Sequence, residues 1–160
     1  MDQHKTPWTE LLSVGVDQID AEHRHFLRLL DRFNHAETRS LPEADLYAML
    51  AEVVLYTEEH FTNEEALMQE AGYPFVGEHR MMHDMAEAEV HRLASGTASE
   101  EEIRDVLGRF MLNWLVLHIQ SADRKFGAWL QERGLREGEL AERCFPESGA
   151  PFPVRESACA

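Results

Sequence analysis

The sequence predicts an all-α protein, an antiparallel up-down four-helix bundle with an extended N-terminal arm and a C-terminal extension. Three observations predict it. Apolar residues recur at steps of three and four along four long stretches. Capping or breaking residues bound each stretch. The links between stretches are short, which makes successive helices antiparallel neighbours. On this reading residues 1–134 form the bundle domain and 135–160 an extension that is irregular or partly disordered.

The 160 residues suffice for one domain with a full core. The formal charge of −15 is spread along the chain, which argues against nucleic acid or an anionic membrane as partner. It also sets copies against one another, so a monomer is expected. No apolar run approaches the roughly 20 residues of a membrane helix, and no apolar run follows a basic start, so neither membrane insertion nor secretion is expected. Cys144 and Cys159 both lie near the C-terminus and make no disulfide framework; a reducing cytoplasm fits them.

Residues 1–16 read as an arm. Pro7 and Gly15 break helix, and Trp8, Leu11, Leu12, Val14 and Val16 can pack along a bundle edge. The first helix runs from about Gln18 to Ala36, with Asp17 as N-cap. Its apolar stripe is Ile19, His23, Phe26, Leu27, Leu30 and Phe33. His25, about 200° around the helix from His23, is placed at the surface.

Ser40-Leu41-Pro42-Glu43 has the form of a capping box with proline in the first turn. The second helix then runs to about Ala71 with the stripe Leu46, Met49, Leu50, Val53, Thr57, His60, Glu64, Leu67, Met68. That stripe puts Glu64 inside and Glu65 outside. A carboxylate buried without a partner costs several kcal/mol or neutralises itself, so Glu64 calls for a partner.

Gly72-Tyr73-Pro74 closes the second helix and opens the third, which fades by Gly96. Its stripe is Val76, His79, His83, Ala86, Val90, Leu93. His79 and His83 stand one above the other, the spacing at which two imidazoles can hold one ion on an unbent helix. Ser99-Glu100-Glu101-Glu102 caps a fourth helix that runs to about Glu132 and stops at Gly134. Its core side is Ile103, Leu107, Phe110, Met111, Trp114, Leu115, His118 and Ile119. Asp123 follows His118 by five residues, about 140° around an ideal helix. The two can serve one place only if two metals share it or if the helix carries a π-bulge there.

Depth along the rods gives a check. At about 1.5 Å per residue, His60 and Glu64 lie roughly 12–18 Å from the Gly72 turn, and His79 and His83 roughly 8–14 Å from Pro74. His23 and His118 agree with these levels to within one or two turns. Five histidines and two carboxylates exceed what a single ion takes and suit two ions sharing bridging carboxylates. No cysteine lies in the bundle, and imidazole alone does not choose between iron, zinc, copper and nickel. The set is rich in histidine and lacks the paired Glu-x-x-His of carboxylate-type di-iron enzymes. Fewer anionic ligands stabilise high-valent iron less, which tilts such a site toward reversible dioxygen binding.

These residues resemble the hemerythrins, above all the single-domain bacterial type, over about residues 8–130. The resemblance is carried by Trp8; by Val14-Gly15-Val16-Asp17-Gln18-Ile19-Asp20-Ala21-Glu22-His23; by His60-Phe61-Thr62-Asn63-Glu64-Glu65; by Tyr73-Pro74 with His79-x-x-x-His83; and by Trp114-Leu115-Val116-Leu117-His118-Ile119 with Asp123. It implies a non-haem di-iron centre with an oxo or hydroxo bridge and dioxygen as ligand. It implies His79, His83 and His118 on one iron, His23 and His60 on the other, and Glu64 and Asp123 bridging both. Phe61, Trp114 and Leu115 would line the oxygen pocket. Glu22 stands where the family often has glutamine, and is expected at the surface. The implied function is oxygen carriage, storage or delivery, with an oxygen-using enzyme or a redox protein as partner, and no catalysis. The competing functions are an enzyme acting on peroxide or nitric oxide at the same irons, and an oxygen or redox sensor acting through the C-terminal tail.

Overall fold

The computed structural model describes residues 9–35, 38 and 40–144. Trp8, Cys159 and the extension beyond Cys144 lie outside the described residues. Four rods make the bundle: α1 (Asp17–Asp31), α2 (Glu43–Ala71), α3 (Val76–Arg92) and α4 (residues 100–133). Successive rods pack antiparallel and α4 closes back onto α1, so the buried stripes of all four meet along one axis. Among the described residues there is no strand, and no helix is long and apolar enough to cross a membrane.

The arm enters through a short 3-10 turn, Glu10–Leu12, with Leu12, Val14 and Val16 buried and Leu11 exposed. Asp20 fixes it: its carboxylate accepts from the Ser13 hydroxyl (2.6 Å) and the Val14 N–H (2.8 Å). Gly127 of α4 lets the arm lie close, because a Cβ there would overlap the Val14 carbonyl oxygen. Helix α1 begins at Asp17 itself, one residue ahead of the sequence reading, and ends at Asp31 rather than near Ala36. The chain tightens there into a 3-10 turn, Arg32–Asn34, and the Asn34 amide donates to the Gly108 carbonyl of α4.

The two capping boxes read from the sequence have different outcomes. Ser99 does cap α4, accepting from the Glu102 N–H at 3.2 Å. Helix α2 instead takes Pro42 as its N-cap residue, without a side-chain cap bond, and starts at Glu43. Its other end follows the sequence: Gly72 adopts φ 71°, which glycine accommodates without a Cβ clash, and the Tyr73 N–H donates to the Met68 carbonyl.

Helix α4 is not a uniform α-helix. It runs as Glu100–Asp105, a π segment Val106–Met111, Leu112–His118, a second π segment Ile119–Asp123, and Arg124–Arg133. The first wide turn corrects one core assignment: Phe110, placed inside by α-helical spacing, is 57% exposed. The extension is also more ordered at its start than expected. Residues Glu137–Cys144 form a helix, α5, that packs on α2 through buried Leu140, with the Cys144 thiol 3.6 Å from the Ala66 carbonyl.

Candidate metal centre

The histidines that interrupt the four stripes all lie in the core at one level. His23 is carried by α1, His60 and Glu64 by α2, His79 and His83 by α3, and His118 and Asp123 by α4; all seven are buried. The Nε2 atoms of His79, His83 and His118 form a triangle with sides of 3.0, 3.1 and 3.2 Å. Such a triangle fits one ion: three nitrogens each about 2.1 Å from a metal, at right angles, stand about 3.0 Å apart. Glu64 Oε2 lies 3.1 Å from His79 Nε2 and 3.3 Å from His83 Nε2. Asp123 Oδ1 lies 3.0 Å from His118 Nε2 and 3.3 Å from His79 Nε2. These five residues offer ligand atoms all within 4.8 Å of one another.

His23 and His60 stand on the other side of the carboxylates. Asp123 turns its second oxygen, Oδ2, to within 3.2 Å of His23 Nε2, and the His23 and His60 rings meet edge-on with centroids 4.8 Å apart. Asp123 therefore spans the two groups of histidines. It reaches them because the Ile119–Asp123 turn is π rather than α: a π turn takes one residue more, so the fifth residue returns to the face of the first.

The polar atoms here are left with little to bond. His23 Nδ1 and Nε2, His60 Nε2, Glu64 Oε1 and both Asp123 oxygens are buried without a well-aligned hydrogen bond among the described residues. Buried polar groups are almost always satisfied, since each orphan costs about 1–3 kcal/mol. Six at one place are what a set of metal ligands looks like. A shell of imidazole and carboxylate, with no thiolate, suits a borderline ion such as iron or zinc.

The electrostatics run the same way. Burial works to raise the Glu64 carboxyl, but His79 and His83 hold it well below its ordinary range. Burial and the Glu64 charge work to raise Asp123, yet His118 and His23 keep it well below as well. Burial alone would lower His83; the carboxylates Glu64 and Glu65 bring it up to about 9. His118 remains lowered by its burial. The two central carboxylates are thus anionic, as ligands must be.

Two functional residues escaped the sequence reading. Glu65, expected outside, is buried; its Oε1 lies 3.1 Å from His83 Nδ1 and its Oε2 accepts from Arg80 Nε at 2.8 Å. Glu22, expected at the surface, is half-buried, with Oε2 2.7 Å from His60 Nδ1 and Oε1 accepting from the Asn63 amide. Each carboxylate fixes one imidazole so that its Nε2 faces the centre, the usual outer partner of a metal-bound histidine. His25, placed at the surface, is half-buried against the Tyr56 ring. Phe61 stacks on His83 with centroids 3.8 Å apart, Trp114 stacks on His118 at 4.6 Å, and Leu115 is fully buried.

Comparison with known proteins agrees with this geometry. Residues 14–130 match the family model described as hemerythrin HHE cation binding domain. A bacteriohemerythrin from Stenotrophomonas maltophilia is 35% identical over 119 residues, covering 74% of this chain and 77% of its own. A myohemerythrin from Riftia pachyptila is 29% identical over 119 residues, covering 74% and 88%. Among solved structures, a wild-type hemerythrin superposes with a TM-score of 0.70 at 26% identity, over 77% of this chain and 95% of its own.

Proposed function

The chain belongs to the hemerythrin family, and we propose that its buried cluster holds two non-haem iron ions and binds dioxygen reversibly. What supports this reading is the group of six buried polar atoms without a well-aligned hydrogen bond, carried by three helices and set beside the Nε2 triangle of His79, His83 and His118. In it, His79, His83 and His118 hold one ion through the Nε2 triangle, and His23 and His60 hold the other. Glu64 and Asp123 would be the carboxylates shared between the two. The donor count is unequal, three nitrogens against two, so the side with His23 and His60 would be the one with room for a ligand. When bound, the iron pair supplies the electrons that dioxygen takes up on binding and returns on release.

The chain's own groups do the rest. Glu65 and Glu22 hold His83 and His60 in the ligating orientation. Phe61, Trp114 and Leu115 wall the centre with apolar surface and line the oxygen pocket, keeping out the water and protons that would release the reduced ligand as hydrogen peroxide instead of dioxygen. The role is carriage, storage or delivery to an oxygen-using enzyme, by a monomer in the cytoplasm; the charge of −15 supports the monomer through self-repulsion.

Anaerobic metal analysis with an optical titration tests the reading. Two irons per chain, with a charge-transfer band that appears on adding oxygen and vanishes on removing it, are expected. Rapid irreversible oxidation, with turnover of peroxide or nitric oxide, would transfer the site to an enzymatic role. Zinc, or a chain that takes up no metal, would overturn the di-iron assignment.

A further inference from the structure

A second group of metal-ligating side chains lies outside the buried centre, where the end of α3 passes the middle of α2. His91 Nε2 stands 3.0 Å from Glu58 Oε1 and 3.9 Å from Glu87 Oε1. One ligand atom from each of the three lies within 4.8 Å of the other two. Glu87 and His91 continue the four-residue spacing of His79 and His83 along α3. Each such step drifts about 40° around an α-helix, which carries the row from the buried face out to the flank beside α2. A polar cavity of about 150 Å³ adjoins the group; Glu58 and Glu87 line it, and so does Asp84. The guanidinium in its wall, Arg80, is already engaged by Glu65.

We propose that Glu58, Glu87 and His91 bind one divalent transition-metal ion of the zinc class. A simple ion pair between histidine and carboxylate does not account for the arrangement. The His91 Nε2 carries at most one hydrogen, which Glu58 is placed to accept; Glu87, at 3.9 Å, is beyond hydrogen-bond reach. One cation serves both carboxylates and the imidazole together. Donors each about 2.1 Å from an ion stand about 3.0 Å apart at right angles and about 4.2 Å apart when opposed. Both separations from His91 fall within those limits. A cation there also offsets the repulsion between two carboxylates on a chain of net charge −15. The imidazole selects against magnesium and calcium, which take oxygen donors. Three protein donors leave coordination positions for water, and the cavity beside Glu58 and Glu87 gives that water its space. None of the three residues belongs to the buried seven, and the inference does not rest on the di-iron reading.

Calorimetric titration of the full chain with zinc, its buried centre filled beforehand, tests the assignment against the same titration of single-residue variants. The unaltered chain is expected to take up one more zinc ion than His91→Ala. Because the result is a difference between chain and variant, it holds whatever occupies the buried histidines. Glu58→Gln and Glu87→Gln are each expected to weaken that ion by about tenfold or more. Magnesium in large excess is expected to leave it in place. All three side chains are partly exposed, so the substitutions spare the core; circular dichroism checks that the bundle is intact. An equal zinc count in the chain and His91→Ala, indifference to either glutamate substitution, or displacement by magnesium would each overturn the assignment, the last by reducing the group to a patch of acidic surface.

Discussion

Glu65 owes its place to two neighbours, the His83 Nδ1 and the Arg80 guanidinium, and neither contact is with the carboxylates at the middle of the cluster. Its effect on bound metal therefore passes through His83. Glu65→Ala leaves that ring free to turn and is expected to lower metal affinity by about 10–100-fold, with the helical content unchanged. Glu22→Ala is expected to do the same at His60. Competition with a chelator of known affinity reads both, and unchanged affinity would show the carboxylates to be bystanders. Neither glutamate was legible in the sequence. Glu65 is one position beyond a stripe residue and Glu22 one position before one, so α-helical periodicity sends both outward. What turns them inward is an imidazole N–H within reach, a contact between helices that spacing along one helix cannot register. The histidines were legible for the converse reason. Polar residues recurring inside apolar stripes violate the pattern, and the violation is itself the signal.

At the level of elements, the pattern located all four rods and missed where they change pitch. Ser99 capped its helix as read, whereas Ser40 did not, because Pro42 with its fixed φ already supplies the turn into α2. Phe110 was read as core from its spacing and lies outside, because a π segment runs from Val106 to Met111. Asp123 shows the same effect with the opposite result: five residues beyond His118, it was legible only through the motif or a bulge, and the bulge is there. A single residue also governs how the arm joins α4. Gly127→Ala would drive a methyl into the Val14 carbonyl and push residues 12–16 off the helix. The expected loss is about 1–3 kcal/mol, seen as a lower urea midpoint. An unchanged midpoint would mean that the arm contributes little to the bundle.

For the whole molecule, the described part of the extension belongs to the packing of α2. Leu140 is buried there, and burying a leucine stabilises by about 1.5–3 kcal/mol. Ending the chain after Gly134 is therefore expected to lower stability by about 2 kcal/mol in urea unfolding. The same truncated chain is expected to keep a reversible oxygen spectrum, since no described residue beyond Gly134 is among those gathered at the centre. A truncated chain that loses reversibility would give the tail a role at the irons. One that keeps it but loses an oxygen-dependent partner would make the protein a sensor.

The wide turn at Ile119–Asp123 bears on any attempt to transplant the centre into an idealised scaffold. Designed bundles are usually built from straight, regular α-helices. Copying the seven side chains onto such rods at their native spacings would reproduce six of the positions. The seventh, the aspartate, would sit about 140° around its helix from the histidine it accompanies, facing a neighbour or water. The recipient would keep its histidines and lose one of the two carboxylates set between them. A faithful graft has to carry the irregularity along with the ligands.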